Sequence, residues 1–259
     1  MIHQLYFERI NADLKRIFAI SLLLLFSGSL LAQDQVARDG TKLHFGLEMT
    51  PSIIWLKAKD PLPPALDGDG SKLGFAFGLM TEFSISRNYS FATGIDISYR
   101  GGNLKRQITS GTGIPNDSLT QIISSNYTME YIEIPLTLKM KTNEIGYFTY
   151  FGQFGLAPGI NISSKGDIHI QSQTDSLGRT GAVTTTDANG ADIKSVINSF
   201  NLSLIVSVGV EYSLGGSTTA LAAITFNNGF LNVLSSTNAN GAPEKAISNC
   251  LGLKVGVLF

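Results

Sequence analysis

The sequence has few of the residues from which catalytic and metal sites are usually built. It contains a single cysteine, Cys250, and one thiol cannot form an internal disulfide. Of its three histidines, no two have the spacing of zinc ligands. Charged residues make up 15% of the chain and the net charge is −1, so nothing indicates a nucleic-acid partner. We therefore expect no metal and no cofactor.

The chain also has no apolar run of about 20 residues, the length that a transmembrane helix needs. Its N-terminal apolar stretch, Ile17–Phe26, follows Lys15 and Arg16 and is followed by small residues up to Ala32. This pattern is typical of a secretory signal peptide, and we predict cleavage after Ala32. An uncleaved helical anchor is the alternative. No cysteine follows directly, so a lipoprotein of the usual kind is excluded.

What the chain has in abundance is a two-residue alternation of apolar with small or polar side chains. Successive side chains of a strand face opposite sides, so each such run predicts a strand with one apolar face. Eight runs follow residues 33–40, which we assign as a lead to the domain 41–259. They are 43–55, 73–86, 90–100, 131–141, 148–162, 200–212, 219–227 and 251–259.

The connections between these runs are alternately short and long. Short connections occur at 87–88, 142–144 and 213–216, and polar ones at 57–71, 101–126, 164–196 and 234–246. Short turns at one end and long loops at the other are typical of bacterial outer-membrane barrels, with the short turns periplasmic. The sequence therefore predicts an all-β, eight-stranded antiparallel up-and-down transmembrane barrel with both termini periplasmic. We expect the Asn- and Ser-rich loops to have no single shape.

A soluble β-sandwich or lipocalin-like barrel is the competing fold, and it would bury the apolar face. In this chain the opposite face holds tiny residues mixed with charges of both signs, which suits a tight polar lumen better than a solvent face. Buried charges must be paired or hydrogen-bonded. The candidates for lumen ion pairs are Glu48, Glu82, Asp96, Arg100, Glu133, Lys139, Glu211 and Lys254.

Aromatic residues gather near the predicted strand ends, as in the interfacial girdles of membrane barrels. Near the short turns we expect Tyr89, Phe148, Tyr212 and Phe259, and near the long loops Trp55, Tyr99, Phe200 and Phe230. These side chains and the apolar strand faces predict contact with outer-membrane lipid.

The nine residues Tyr131–Lys139, read as Y-I-E-I-P-L-T-L-K, resemble a recurring signature of the PorT-like outer-membrane β-barrel family of Bacteroidetes. The motif residues are Tyr131, Glu133, Pro135, Leu136 and Lys139. Phe259 resembles the end signal read by the barrel-assembly machinery. The resemblance implies an eight-stranded barrel in a Gram-negative outer membrane. One family member takes part in a protein secretion system, a role that this chain need not share.

Within the motif, Pro135 removes one donor from the strand ladder. Its position predicts a bulge or a local break in strand pairing.

The candidates for chemistry are weak. Asp67-Gly68-Asp69-Gly70-Ser71 resembles the start of a calcium loop, but lacks the third acid and the closing glutamate. His44 and Glu48 share one strand face about 13 Å apart, so only cross-strand neighbours could complete a catalytic site. The sequence predicts no catalytic residues and a non-enzymatic protein that is structural or binds a protein partner through its loops. A lipid-modifying or proteolytic barrel enzyme and a secretion component are the alternatives.

Overall fold

The protein is described by a computed structural model that covers residues 43–59, 66–111, 117–176, 179–237, 241 and 243–259. The predicted signal peptide and lead, residues 1–40, lie outside the described residues. No helix in the described part of the chain is long and apolar enough to cross a membrane.

The described chain consists almost entirely of strands, with one short 3-10 turn at Lys194–Val196. The strands are β1 (Leu43–Ala58), β2 (Leu66–Gly68), β3 (Ser71–Ser84), β4 (Tyr89–Gly111), β5 (Asp117–Glu133), β6 (Leu136–Lys141), β7 (Phe148–Ser176), β8 (Arg179–Asp192), β9 (Phe200–Gly215), β10 (Thr218–Gly229) and β11 (Ala246–Leu258).

The strands form a closed antiparallel ring of eight wall strands. The order is β1, β3, β4, β5 with β6, β7, β9, β10 and β11, and β11 pairs back onto β1. The predicted eight-stranded barrel is confirmed. β5 and β6 make one wall strand that is interrupted at Ile134 and Pro135, as the proline predicted, and there the Ile134 N–H donates to the Pro158 carbonyl at 3.0 Å.

Burial alternates along the wall strands as the sequence pattern predicted. Leu47, Val208 and Ile224 point outward and are 58%, 68% and 63% exposed. Their chain neighbours Glu48, Ser207 and Thr225 point inward and are 8%, 2% and 3% exposed. An apolar exterior around a polar interior is the arrangement of a barrel that lies in lipid.

The prediction of long shapeless loops is wrong for two of the four connections. Most of 101–126 and 164–196 is strand, because β4 runs to Gly111, β7 runs to Ser176 and β8 pairs with β7. The alternation of apolar and polar residues did not reveal these strands, because the segments contain too few apolar residues to mark one face. Threonine, isoleucine and valine nevertheless favour strands, and the backbone pairing extends the ladder.

These extensions form a four-stranded sheet that continues past the neighbouring wall strands. We define the protruding sheet as residues 103–111 of β4, 117–126 of β5, 165–176 of β7 and all of β8. Pairing of β3 with β4 ends at Tyr99, and pairing of β7 with β9 ends at Ile160, so the sheet leaves the ring there.

An apolar cluster occupies the lumen at the end where the long connections lie. We call it the plug. It combines inward-facing wall residues with residues of three connections: Leu56, Leu66, Leu104, Met129, Tyr131, Ile193, Ile197, Val233, Leu234 and Ala246. Arg106 pairs with Glu244 close by, and the Ser236 hydroxyl donates to the same carboxylate at 2.6 Å. The described residues of these connections therefore fold into the barrel mouth and fill it.

Truncating Leu104, which is 1% exposed, should open a cavity in the plug. We expect Leu104→Ala to lower the free energy of unfolding by about 2 to 5 kcal/mol, measured by urea titration in detergent micelles. The control is Val183→Ala, because Val183 is 58% exposed in the protruding sheet outside the ring and its truncation should cost about 0.5 kcal/mol or less. Equal effects of the two substitutions would show that the plug is not packed.

Candidate functional site

The lumen near the short turns is crossed by a group of four charged side chains that we call the lower cluster. Lys139 Nζ donates to Glu82 Oε2 at 2.8 Å and also pairs with Glu211. Lys141 Nζ lies 3.0 Å from Glu211 Oε2 and pairs with Glu82 as well. Two lysines from β6 thus connect β3 to β9 across the barrel, and the four charges cancel.

An aromatic ring supports this cluster from β7. Lys139 Nζ lies 4.3 Å from the ring centroid of Phe151, within range of a cation–π contact. Phe151 packs with Leu221, Ala223 and Leu258 inside the wall. The lysine ammonium is therefore surrounded by two carboxylates and a ring, which compensates for its loss of water.

A second group of charges, which we call the middle cluster, lies deeper in the lumen. Arg100 Nη2 donates to Glu133 Oε2 at 2.7 Å, and Lys254 Nζ donates to Glu48 Oε1 at 2.7 Å. Asp96 lines the same cavity, but its Oδ1 is buried without a hydrogen-bond partner among the described residues. Three acids face two bases, so the ionised cluster has one excess negative charge.

The middle cluster surrounds a cavity of about 40 Å³, and a second cavity of about 20 Å³ separates it from the lower cluster. Arg100 Nη1 and Glu133 Oε1 are also buried without a partner in the described chain. A polar cavity of this size has room for water molecules that would bind these atoms, but it does not form an open channel. The lumen is therefore filled from the short turns to the plug.

The structure places all eight predicted lumen residues inside the barrel. Seven of them take part in the ion pairs described above, and Asp96 is the exception. Sequence reasoning did not include Lys141 among the candidates for lumen ion pairs, although Lys141 follows Lys139 by two positions and therefore lies on the same face of the strand. It also missed the Arg106–Glu244 pair, because both residues were assigned to polar connections.

The five motif residues have separate positions in the wall. Tyr131 is fully buried in the plug, Glu133 and Lys139 belong to the two ion-pair clusters, and Leu136 is 43% exposed on the outer wall. Pro135 lines the smaller cavity at the break between β5 and β6. The motif therefore supplies one residue to each layer of the lumen and one to the outer wall.

Most of the aromatic residues assigned to the interfacial girdles are exposed on the outer wall: Tyr89, Tyr99, Phe148, Phe200, Tyr212, Phe230 and Phe259. Trp55 is half-buried, with its ring 6.3 Å from that of Phe226. Tyr99 does not lie at a strand end, because β4 continues twelve residues further to Gly111. It lies instead where β4 leaves its pairing with β3.

The protruding sheet brings together residues that resemble a hydrolytic site. Lys105, Ser124, His169 and Asp187 are successive cross-strand neighbours on its four strands. His169 Nδ1 and Asp187 Oδ1 lie 2.7 Å apart. Sequence reasoning missed this pair because the partners are eighteen positions apart in a segment assigned as loop.

The arrangement lacks what hydrolysis requires. Ser124 makes no hydrogen bond to His169, and the His169 and Asp187 side chains are about half exposed on a flat surface. Ser124 is paired on both sides within the ladder, so its backbone N–H cannot serve as an oxyanion donor. The His169–Asp187 pair is better explained as a cross-strand contact that stabilises the hairpin by about 0.2 to 1 kcal/mol.

The structure does not complete a site around His44 either. Glu48 binds Lys254, and His44 lies opposite Glu82 in the strand register. In the described part of the chain, no group of three or more His, Cys, Asp or Glu side chains could hold a metal ion.

Comparison with known protein families identifies the family of this barrel. The model of the outer membrane protein beta-barrel domain matches residues 32–237. The chain belongs to this family. It is accordingly an integral protein of the bacterial outer membrane. No protein with a curated function matches the sequence.

Three solved barrels illustrate the structural likeness. Neisserial surface protein A is 11% identical, with 85% of this chain and 100% of that one aligned and a TM-score of 0.38. OprG from Pseudomonas aeruginosa is 11% identical, with 85% and 98% aligned and a TM-score of 0.38. Ail, the attachment invasion locus protein of Yersinia pestis, is 12% identical, with 83% and 98% aligned and a TM-score of 0.28.

A double-mutant cycle can test the pairing of Arg100 with Glu133. Both side chains are almost fully buried, so Arg100→Met leaves a carboxylate uncompensated and should cost about 3 to 5 kcal/mol of unfolding free energy. Arg100→Met with Glu133→Gln should recover much of that loss, because position 133 then carries no charge that needs Arg100 as a partner. Urea unfolding in micelles measures both values. Additive effects of the two substitutions would contradict the pairing.

Proposed function

We propose that this outer-membrane barrel is a non-enzymatic protein that acts through its protruding sheet, as a structural element or as a docking platform for a protein partner. The observation that carries the proposal is the filled lumen. Two charged clusters and the plug occupy the interior, so the barrel does not offer a path for a solute. The surface outside the membrane is therefore where a partner can be bound.

The proposal includes an orientation. The short connections 85–88, 142–147 and 216–217 lie at the end where β1 begins and β11 ends, since Leu43 pairs with Phe83 and Leu258 with Thr219. Short periplasmic turns and longer extracellular extensions are typical of outer-membrane barrels. We infer that the protruding sheet is extracellular and that both termini are periplasmic.

The finer assignments follow from the sequence. The motif Tyr131–Lys139 supports membership in the PorT-like branch of Bacteroidetes proteins, and a role as a secretion component would also use a docking surface. Residues 1–32 act as the signal peptide in this proposal. Phe259, whose N–H donates to the Phe45 carbonyl at 2.7 Å where the ring closes, is the signal for the barrel-assembly machinery. The exposed apolar wall contacts outer-membrane lipid.

Cysteine labelling on whole cells tests the orientation. Val183 in β8 is 58% exposed and Tyr147 in a short turn is 66% exposed, whereas the native Cys250 is buried. A membrane-impermeant maleimide should label Val183→Cys on intact cells, and should label Tyr147→Cys only after the outer membrane is permeabilised. Labelling of Tyr147→Cys alone on intact cells would reverse the orientation and remove the basis for docking.

Planar-bilayer recording tests the closed lumen. The purified protein should show no steady conductance, because an eight-stranded barrel is wide enough only for its own side chains and here they are paired. A steady conductance that changes with Glu133→Gln would show that ions pass the middle cluster. That result would favour a channel over a docking platform.

A further inference from the structure

Strand β8 has an open hydrogen-bonding edge. It pairs with β7 along one side, and no described residue pairs with its other side. In an antiparallel sheet alternate residues direct their N–H and C=O groups to opposite edges, so half of the backbone groups of β8 face outward without a ladder partner. The row from Val183 to Ala188 is continuous in register with β7, which keeps this edge straight.

Register irregularities interrupt the pairing of β8 with β7 on both sides of Val183–Ala188, but within these six residues the edge carries none of the usual protection. Natural sheets protect their edge strands with lysine, proline or bulges. Residues 181–190 are all exposed, include neither lysine nor proline, and contain the β-branched run Val183-Thr184-Thr185-Thr186. These residues favour the extended conformation that strand pairing requires.

Other edges in the described chain are closed or shorter. β1 and β11 close the ring, and β2 covers β4 at residues 104–106. Beyond Arg106 only residues 107–111 of β4 remain as an edge of the protruding sheet. β8 is therefore the longest open edge among the described residues.

A second copy of the chain in the same membrane is a poor occupant of this edge, because of the direction in which its strand would pair. Copies in one membrane are related by a two-fold axis along the membrane normal, so strands that rise from the membrane would meet in parallel. Parallel pairing is slightly weaker per residue than antiparallel pairing. A separate extended segment has no such constraint and can pair in the antiparallel direction.

The charge on β8 indicates which side chains the bound segment should carry. Asp187 is the only charged residue between 181 and 190, and its side chain is 49% exposed although it contacts His169. A basic side chain directly opposite would gain about 0.2 to 1 kcal/mol as a cross-strand pair. The neighbouring positions of β8 hold threonine and valine, which pair well with other β-branched residues.

We propose that β8 binds an extended segment of a partner protein by strand addition, and that this segment is rich in β-branched residues and carries a basic side chain beside Asp187. In this mode main-chain hydrogen bonds supply most of the affinity and alternate side chains supply the selectivity. The inference rests on the proposed docking role, and it specifies the edge and the partner chemistry.

The test uses the full protein in detergent micelles and a fluorescent nine-residue peptide of alternating threonine and valine with one central lysine. Fluorescence anisotropy should show saturable binding, and replacing a valine next to the lysine by proline should abolish it, because proline cannot donate to a ladder. Replacing the peptide lysine by glutamate should weaken binding to the wild type. Asp187→Lys should reverse that preference, with each change worth about 1.4- to fivefold in affinity.

Glu144→Lys is the matched control, since it makes the same charge change in a short turn at the other end of the barrel. It should leave both peptide affinities unchanged, and heat-modifiable migration on a gel verifies that each variant is folded. Absence of binding, equal binding of the proline peptide, or an equal response to Glu144→Lys would overturn strand addition. Because the assay uses purified protein, such a result is separate from the labelling of Val183→Cys on cells, which tests the docking orientation.

Discussion

The structure depends on the cost of removing charge from water inside a narrow ring of strands. An eight-stranded wall encloses a space that side chains must fill, and a charge placed there loses several kcal/mol of hydration unless a partner compensates it. The lower cluster meets this requirement by joining β6 to β3 and β9, which are not its neighbours in the wall, and the middle cluster pairs Arg100 with Glu133 and Lys254 with Glu48 between adjacent strands. The lumen thus acts as a polar core whose pairing fixes the relative positions of the wall strands.

The plug solves the same problem at the barrel mouth by a different means. There the inward residues, such as Leu104, are apolar, and the connections add apolar side chains such as Ile193 and Leu234 to the same cluster. The lumen changes from charged to apolar along its axis, and the apolar end supports the base of the protruding sheet. A rigid base is what a sheet surface needs in order to present one conformation to a partner.

The sequence predicted the ring well because lipid imposes a clear rule. An outward residue such as Val208 meets hydrocarbon and an inward one such as Ser207 meets the lumen, so the alternation survives along each wall strand. The rule fails above the membrane, where both faces of a strand meet water. Thr185 and its neighbours therefore looked like loop although they are strand. The ion-pair partners were equally hidden, because Lys139 and Glu82 are brought together only by the curvature of the wall.

The barrel is complete only after β1 and β11 pair and close the wall. The Lys254–Glu48 contact across that seam joins residues 206 positions apart. Contacts between residues so far apart in sequence form slowly, because most of the chain must be ordered before these contacts can stabilise the barrel. Until the seam forms, both seam strands expose unpaired backbone groups that could aggregate. Synthesis and closure are therefore separated in time, and the chain must be kept from pairing wrongly during that interval.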